Sequence, residues 1–402
     1  MASKALEAAG NLFSYTNRKC DCKITTTYDA NGNEQHSILV KRMNSGGYLY
    51  AYAPVDGLVM LNTKTGSIIE QNKVIEDFLN IDLNDVNQIK CFIDKYGFFT
   101  ALPENEYIEF NHVEVAVLLN RYRILVELMA AIEESSIDYS KVFHMVCILL
   151  FGRPRNMVIP SIGEEIQSCL HPFTQLWFDI DNVVEIDNLV NGMTDPPYDS
   201  FYPVEDTFTG VVEKLDYLQY NEEVGNMDDE FTGYSEGTKF RMNITYLYKN
   251  AFPVDLSARN AIDFFYHLIK EGTIIESCNE VGRVKTRSSI TSNPKFKESF
   301  ADKLILLAKQ IIKEEFDYEL FSIHPVYNIE TMAPEWEMPN LFTALYFALF
   351  YTRPDYEIYR KCANPNCNRL FKVKTTNSRQ LYHNTACQNA AAQMRHRKKK
   401  KN

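Results

Sequence analysis

Cys362-Ala363-Asn364-Pro365-Asn366-Cys367 is followed, after fifteen intervening residues, by His383-Asn384-Thr385-Ala386-Cys387. Four soft or borderline ligands gather within this short stretch, whereas the other cysteines lie scattered between Cys20 and Cys278. Zinc takes four tetrahedral thiolate or imidazole ligands, and short ligand pairs joined by an ordered loop are how small modules supply them. Asn364-Pro365-Asn366 favours a turn that aims both flanking sulfurs at one centre. Leu370 to Val373 reads as a short strand, Thr375 to Arg379 as a turn, and Phe371 with Tyr382 as a small core beside the metal. Thr385-Ala386-Cys387-Gln388 fits a capping box, so a helix is predicted from Ala386. On that helix Cys387, Ala390, Ala391, Met394 and Lys398 share the metal side, while Asn389, Gln393, His396 and Lys400 lie opposite. His396 therefore points away, and the predicted ligands are Cys362, Cys367, His383 and Cys387. So small a module cannot fold on apolar burial, which makes the zinc structural. With four protein ligands, no position is left open for a substrate.

Charge sets this end apart from the rest of the chain. The 402 residues carry a formal net charge of −11, yet from Arg353 onward thirteen Lys/Arg meet only Asp355 and Glu357, a local net of +11. The remainder holds 29 basic and 51 acidic residues, a net of −22. A basic end on an acidic body points to an anionic partner for that end. Arg369, Lys372, Lys374, Arg379, Arg395, Arg397 and the run Lys398, Lys399, Lys400 and Lys401 are the expected phosphate contacts. Asn389 and Gln393, one helical turn apart, are the expected base readers, because their amides suit adenine.

The segment resembles the CGNR-type zinc finger found at the C-terminus of bacterial proteins linked to transcriptional regulation. The resemblance rests on Arg360-Lys361-Cys362-Ala363-Asn364-Pro365-Asn366-Cys367, Leu370-Phe371, Tyr382-His383 and Cys387-Gln388-Asn389 before a basic helix. The family usually has cysteine where His383 stands, and its Cys-Gly-Asn-Arg signature here reads Cys387-Gln388-Asn389-Ala390. Zinc binding carries over; the family's DNA contact at the signature arginine does not carry over to Ala390. The resemblance also implies a ligand-sensing or stress-responsive body upstream, and hence a small-molecule effector.

Working outward, residues 20 to 70 read as an antiparallel meander. Lys23 to Tyr28 is rich in β-branched residues, and Asp29-Ala30-Asn31-Gly32 supplies a tight turn into His36 to Lys41. Asn44-Ser45-Gly46-Gly47 is predicted to turn again into Tyr48 to Tyr52. Helices are predicted over Asp85 to Tyr96, Val113 to Ile132, Tyr139 to Phe151, from Asp255 or Ser257 to Gly272, Phe300 to Ile311 and Asn340 to Leu349. Pro325 to Pro339 reads as a long connection. His144 falls on an apolar helical face and is expected in the core. Cys20-Asp21-Cys22 lacks nearby partners for a metal, and Glu222-Glu223 with Asp228-Asp229-Glu230 reads as a solvated loop without calcium-loop spacing. The expected fold is α+β: an N-terminal antiparallel meander over 1–110 with short helices, a mainly helical body over 111–352, and a zinc-stapled β-turn-helix module over 353–402.

No apolar run reaches the roughly 20 residues of a membrane span, and the N-terminus lacks an apolar signal core. Nine cysteines, an odd number and mostly single, fit a reducing compartment. A cytoplasmic protein without membrane partners is expected. No phosphate-cradling glycine loop, nucleophile elbow or His-Glu-x-x-His motif occurs, so no residues are nominated for catalysis and a non-enzyme is expected. Four functional readings are weighed. They are DNA binding by a transcriptional regulator, RNA binding with Tyr382 or Phe371 stacking on bases, a zinc-shaped protein-interaction module, and an enzyme in the large body, which needs a pocket of converging carboxylates or histidines from residues 1 to 350.

Overall fold

The computed structural model describes residues 14–181, 236–250 and 255–399, apart from short stretches at 54–56, 64, 66, 72, 135, 160–161, 330–331, 352–356, 368 and 375–379. The acidic stretch at 222–230 lies outside the described residues. The chain divides into two compact units, Met1–Ala130 with Arg155–Ser168 and Phe316–Asn402, and Ala131–Pro154 with Cys169–Glu315.

The first unit is built on a seven-stranded sheet. Strands β1 (Ser14–Tyr28), β2 (Glu34–Ala53), β3 (Gly57–Asn62) and β4 (Ile68–Gln71) form the antiparallel meander. The expected turn at Asn44–Gly47 is not a turn. β2 runs through it, and the pairing with β1 slips between Arg18 and Cys20. Lys19 alone stands opposite four residues of β2, 43–46, so the strand takes up three extra residues as an irregular bulge, and Gly46 at φ +88° supplies the left-handed backbone there at no steric cost rather than reversing the chain. Below the bulge β2 pairs with β5 (Tyr107–Asn111), and above it with β3.

Helices α1 (Lys73–Leu79) and α2 (Val86–Tyr96) follow β4. Asp85 caps α2 by accepting from the Asn87 N–H, and Gly97 ends it at φ +84°. A Cβ at Gly97 would lie 2.6 Å from the Arg18 carbonyl oxygen, so the sheet and helix end require glycine there. The Tyr50 hydroxyl donates to the Tyr96 carbonyl at 2.6 Å, and the Asn17 amide donates to Phe98 O at 2.8 Å, tying that end to β1 and β2. Later come the long α3 (His112–Ile132) and the short pair β6 (Asn156–Ile159) and β7 (Glu164–Gln167).

The second unit packs α4 (Tyr139–Phe151), α5 (Pro172–Asp181), α6 (Glu236–Asn250) and α7 (Leu256–Lys270) around the rings of Phe151, Phe173, Trp177, Phe240 and Phe265. β8 (Ile275–Cys278) and β9 (Val284–Thr286) make a small ribbon. His144 is a correction: it is exposed, sharing the outward stripe of α4 with Lys141, while residues on either side of it are buried. A different histidine of this unit, His267 on α7, is buried. Burial, then Lys270 and Arg259, push its pKa down to about 4. The folded form therefore binds fewer protons than the unfolded chain, and this contribution to stability is full above pH 6.5 and lost toward about pH 4. The urea midpoint should fall across that window, and His267→Gln should flatten the fall; an unchanged profile in the variant would show that another group sets it.

The helix predicted from Phe300 does not stop before Glu314-Glu315: α8 covers Ala301–Leu320. The stretch read as a long connection is a hairpin, β10 (His324–Asn328) with β11 (Ala333–Glu337), and β11 joins the large sheet in parallel next to β1. Pro325 and Pro334 obscured it, since proline is tolerated at such an edge but not advertised by strand periodicity. α9 (Leu341–Phe350), capped by Asn340, is buried almost all round, and the Tyr122 hydroxyl donates to its Leu345 carbonyl. The module then closes the chain with β12 (Glu357–Lys361), β13 (Leu370–Lys374) and α10 (Thr385–Lys399). The protein is thus α+β, with an N-terminal antiparallel sheet and a small terminal module. Among the described residues, no helix is long and apolar enough to cross a membrane.

Candidate metal centre and its basic helix

β12 and β13 form an antiparallel hairpin in which Arg360 faces Phe371 and Lys361 faces Leu370. Its loop is a knuckle. The Cys362 N–H donates to Arg369 O, the Cys367 N–H to Asn364 O at 2.8 Å, and the Asn366 N–H to the Asn364 side chain. Asn364 thus makes an Asx turn on both its oxygens, which is why Asn-Pro-Asn brings the two sulfurs together. The Ala363 N–H donates to Leu381 O and stitches the knuckle to the segment carrying His383.

Helix α10 begins one residue earlier than the capping-box reading predicts. Asn384, not Thr385, is the cap: its side chain accepts from the Cys387 N–H at 2.8 Å, and its carbonyl from Gln388. Asparagine is among the strongest N-caps, and here it also contacts His383 Nε2 at 2.9 Å and so braces the ring.

Cys362, Cys367, His383 and Cys387 each present a ligand atom, and the four atoms lie within 4.8 Å of one another. Cys367 Sγ is 3.6 Å from His383 Nδ1. Zinc–sulfur and zinc–nitrogen bonds of about 2.3 and 2.0–2.1 Å meeting at the tetrahedral angle require a separation of about 3.6 Å. The donor set and its spacing fit zinc. Burial opposes ionisation of Cys362, but hydrogen bonds involving His383 and the backbone outweigh it and bring the thiol down to about 7; burial pushes Cys367 upward. Around the ligands the packing is thin: Phe371 and Val373 are buried with Cys362, and Tyr382 lies against them.

Residues 359–400 match the family model of the CGNR zinc finger. This module is a CGNR zinc finger. No curated protein and no solved structure matches the chain. Family and side-chain cluster agree on a structural zinc held by Cys362, Cys367, His383 and Cys387.

Within the first unit, the finger is tied to the helix that follows β4 through a side chain that the sequence did not single out. Asn80, just past α1, donates from Nδ2 to Leu370 O at 2.9 Å and accepts at Oδ1 from the Leu370 N–H at 2.9 Å. Its amide thereby acts as a strand partner for β13, and Nδ2 also reaches Glu76 O. Asn80→Ala should loosen the finger by about 1–3 kcal/mol, the cost of half-buried amide partners left unmade. Faster hydrogen exchange at the Leu370 amide, with zinc content unchanged, is the expected reading; unaltered protection would show that the docking rests elsewhere.

Of the nominated nucleic-acid contacts, Asn389, Gln393, Arg395 and Arg397 are exposed on α10, as is His396, while Ala391 is buried and Cys387 and Met394 are half-buried. The metal-facing and outward faces fall as the periodicity predicts, except that Ala390 is exposed. The Arg395 guanidinium donates to the Tyr382 hydroxyl at 3.4 Å. Lys372 and Lys374 belong to β13, and Lys398 and Lys399 to the last turn of α10. Arg369 is exposed but lines a cleft of about 260 Å³ with Glu76, Asp77 and Lys95. Arg379, Lys400 and Lys401 lie outside the described residues.

Elsewhere, Cys20 and Cys22 are buried in β1, and burial raises both thiols, Cys20 to about 12. Sequence reasoning passed over a second cluster in the other unit, Cys169, His171 and Glu315. Its signal was a Cys-x-His pair, and its third member sits in a helix that had been read as ending before it.

Proposed function

We propose that the protein is a cytoplasmic bacterial transcriptional regulator that binds duplex DNA through its C-terminal CGNR finger and is not an enzyme. The observation that carries this is the two-sided helix α10. Cys387 belongs to the metal cluster, Ala391 is buried and Met394 half-buried, while Asn389, Gln393, His396 and Arg397 are exposed at i, i+4, i+7 and i+8. A rigid helix bearing amides and cations on one free face fits a major groove, where amides read adenine and cations hold phosphates. The −22 body would repel DNA, so affinity should depend on the finger alone. The cleft between α1, α2 and Arg369 is where an effector would reach the finger.

RNA binding through stacked bases has less support. Phe371 is buried, and Tyr382 is half-buried, packed against the small core with its hydroxyl accepting from Arg395, which leaves little ring surface for a base. The interaction-module reading draws on the Asn80 docking, which explains why zinc would shape the segment even without nucleic acid. Selection of bound sequences from a random duplex pool by the full chain separates these readings. An enriched motif that vanishes on Asn389→Ala with Gln393→Ala supports DNA readout, whereas no enrichment, with retained zinc, would leave the interaction module.

A further inference from the structure

We infer that Cys169, His171 and Glu315 form a second metal site, structural and wholly inside the second unit, for a borderline divalent ion with zinc as the first choice. One ring nitrogen of His171, the Cys169 sulfur and a Glu315 carboxylate oxygen lie within 4.8 Å of one another. All three residues are buried, with the His171 and Glu315 side chains 0% exposed.

The segment leading into α5 supplies two of the donors two residues apart. α8 supplies the third 144 positions later, and also Glu314. Glu314 Oε2 lies 2.5 Å from His171 Nδ1, and Glu315 Oε1 lies 3.1 Å from Nε2. A carboxylate on the nitrogen that does not bind metal is how a ligating histidine is usually oriented. The Cys169 sulfur is 3.9 Å from Nδ1 and 3.8 Å from the Glu314 carbonyl oxygen.

One imidazole, one thiol and the Glu315 carboxylate share a buried setting, with Glu314 at its half-open edge. Buried charge persists where it is paired or coordinates a metal. A histidine bridging two glutamates would satisfy its own hydrogen bonds without a thiol. The sulfur is what turns an ion pair into a donor set, and thiolate with imidazole and one carboxylate selects zinc or a neighbouring transition ion over magnesium or calcium. Complete burial leaves no route for a substrate, so the ion would pin the start of α5 to α8. This site is independent of the finger, which has its own four ligands.

The test is metal content of the full-length protein equilibrated with zinc. Two equivalents per chain are expected, falling to one in Cys169→Ser and to one in Cys387→Ser. Cobalt in place of zinc should give two spectroscopically distinct ions, one with three thiolates and one with a single thiolate. One equivalent in the wild-type protein, lost wholly in Cys387→Ser, would overturn the proposal and leave His171 as a histidine held by carboxylates. Two equivalents retained in Cys169→Ser would overturn it as well, placing the second ion elsewhere. A wild-type count of one overturns the proposal whether or not a variant folds, and in the wild-type protein a second cobalt spectrum of a single thiolate supports it without any variant.

Discussion

Withdrawing the finger's zinc should melt α10 and open residues 359–400 to proteolysis, while the large sheet keeps its fold. Six buried apolar residues, Tyr359, Cys362, Leu370, Phe371, Val373 and Ala391, with Tyr382 packed beside them, are too little to hold a hairpin and a fifteen-residue helix. Structural zinc contributes on the order of 10–16 kcal/mol in small modules, and that sum is folding energy because the unfolded chain holds no formed site. Cys362→Ser should have the largest effect, since Cys362 is the buried ligand and an oxygen there loses both the bond and the fit. His383→Cys should retain zinc, because the exchange keeps a good ligand and matches the family's usual residue. His383→Ala should lose it. Zinc content together with limited proteolysis reads both outcomes; a finger that stays protected after its zinc is gone would show that Asn80 and the small core suffice. The three thiolates must be free of protons to bind, so zinc affinity should also fall as pH is lowered.

How much of this was legible follows from the range of the interactions. The cap residues Asp85, Asp255 and Asn340 act on N–H groups two or three positions away, and their helices start where the sequence places them. The four zinc ligands span 26 residues and carry their own spacing, so the centre could be read without any fold. Local chemistry was ambiguous at Gly46-Gly47, where glycine permits a turn and a bulge alike and only the length of β1 decides. At Glu314-Glu315 charge was read as a helix end, whereas α8 carries Glu315 inward to His171. Asn80 and Leu370 are 290 positions apart. No sequence period links an amide to a strand edge over that distance, and the same holds for Cys169 and Glu315. What was missed is what tertiary packing alone brings together.

Binding of duplex DNA should weaken steeply with salt. Each phosphate neutralised releases counterions, so a protein making 6–10 such contacts loses about 10³- to 10⁵-fold in affinity between 50 and 200 mM salt. Lys372, Lys374, Arg395, Arg397, Lys398 and Lys399 provide six such charges on β13 and α10. Two classes of variant then separate in a way a merely sticky tail cannot imitate. Arg395→Ala with Arg397→Ala should weaken all sequences alike and make the salt slope shallower by about two. Asn389→Ala and Gln393→Ala should leave the slope alone and each cost about 1–3 kcal/mol on the preferred site only, since an amide lost from a base edge is felt only where adenine stood. The acidic body sharpens the contrast: its net −22 repels the same phosphates, so removing residues 360–402 should abolish binding rather than reduce it. Fluorescence anisotropy at several salt concentrations, on selected and scrambled duplexes, gives both slopes and specificities. A truncated protein that still binds duplex with the full-length slope would put the anion site on the body and end the case for α10 as the reading element.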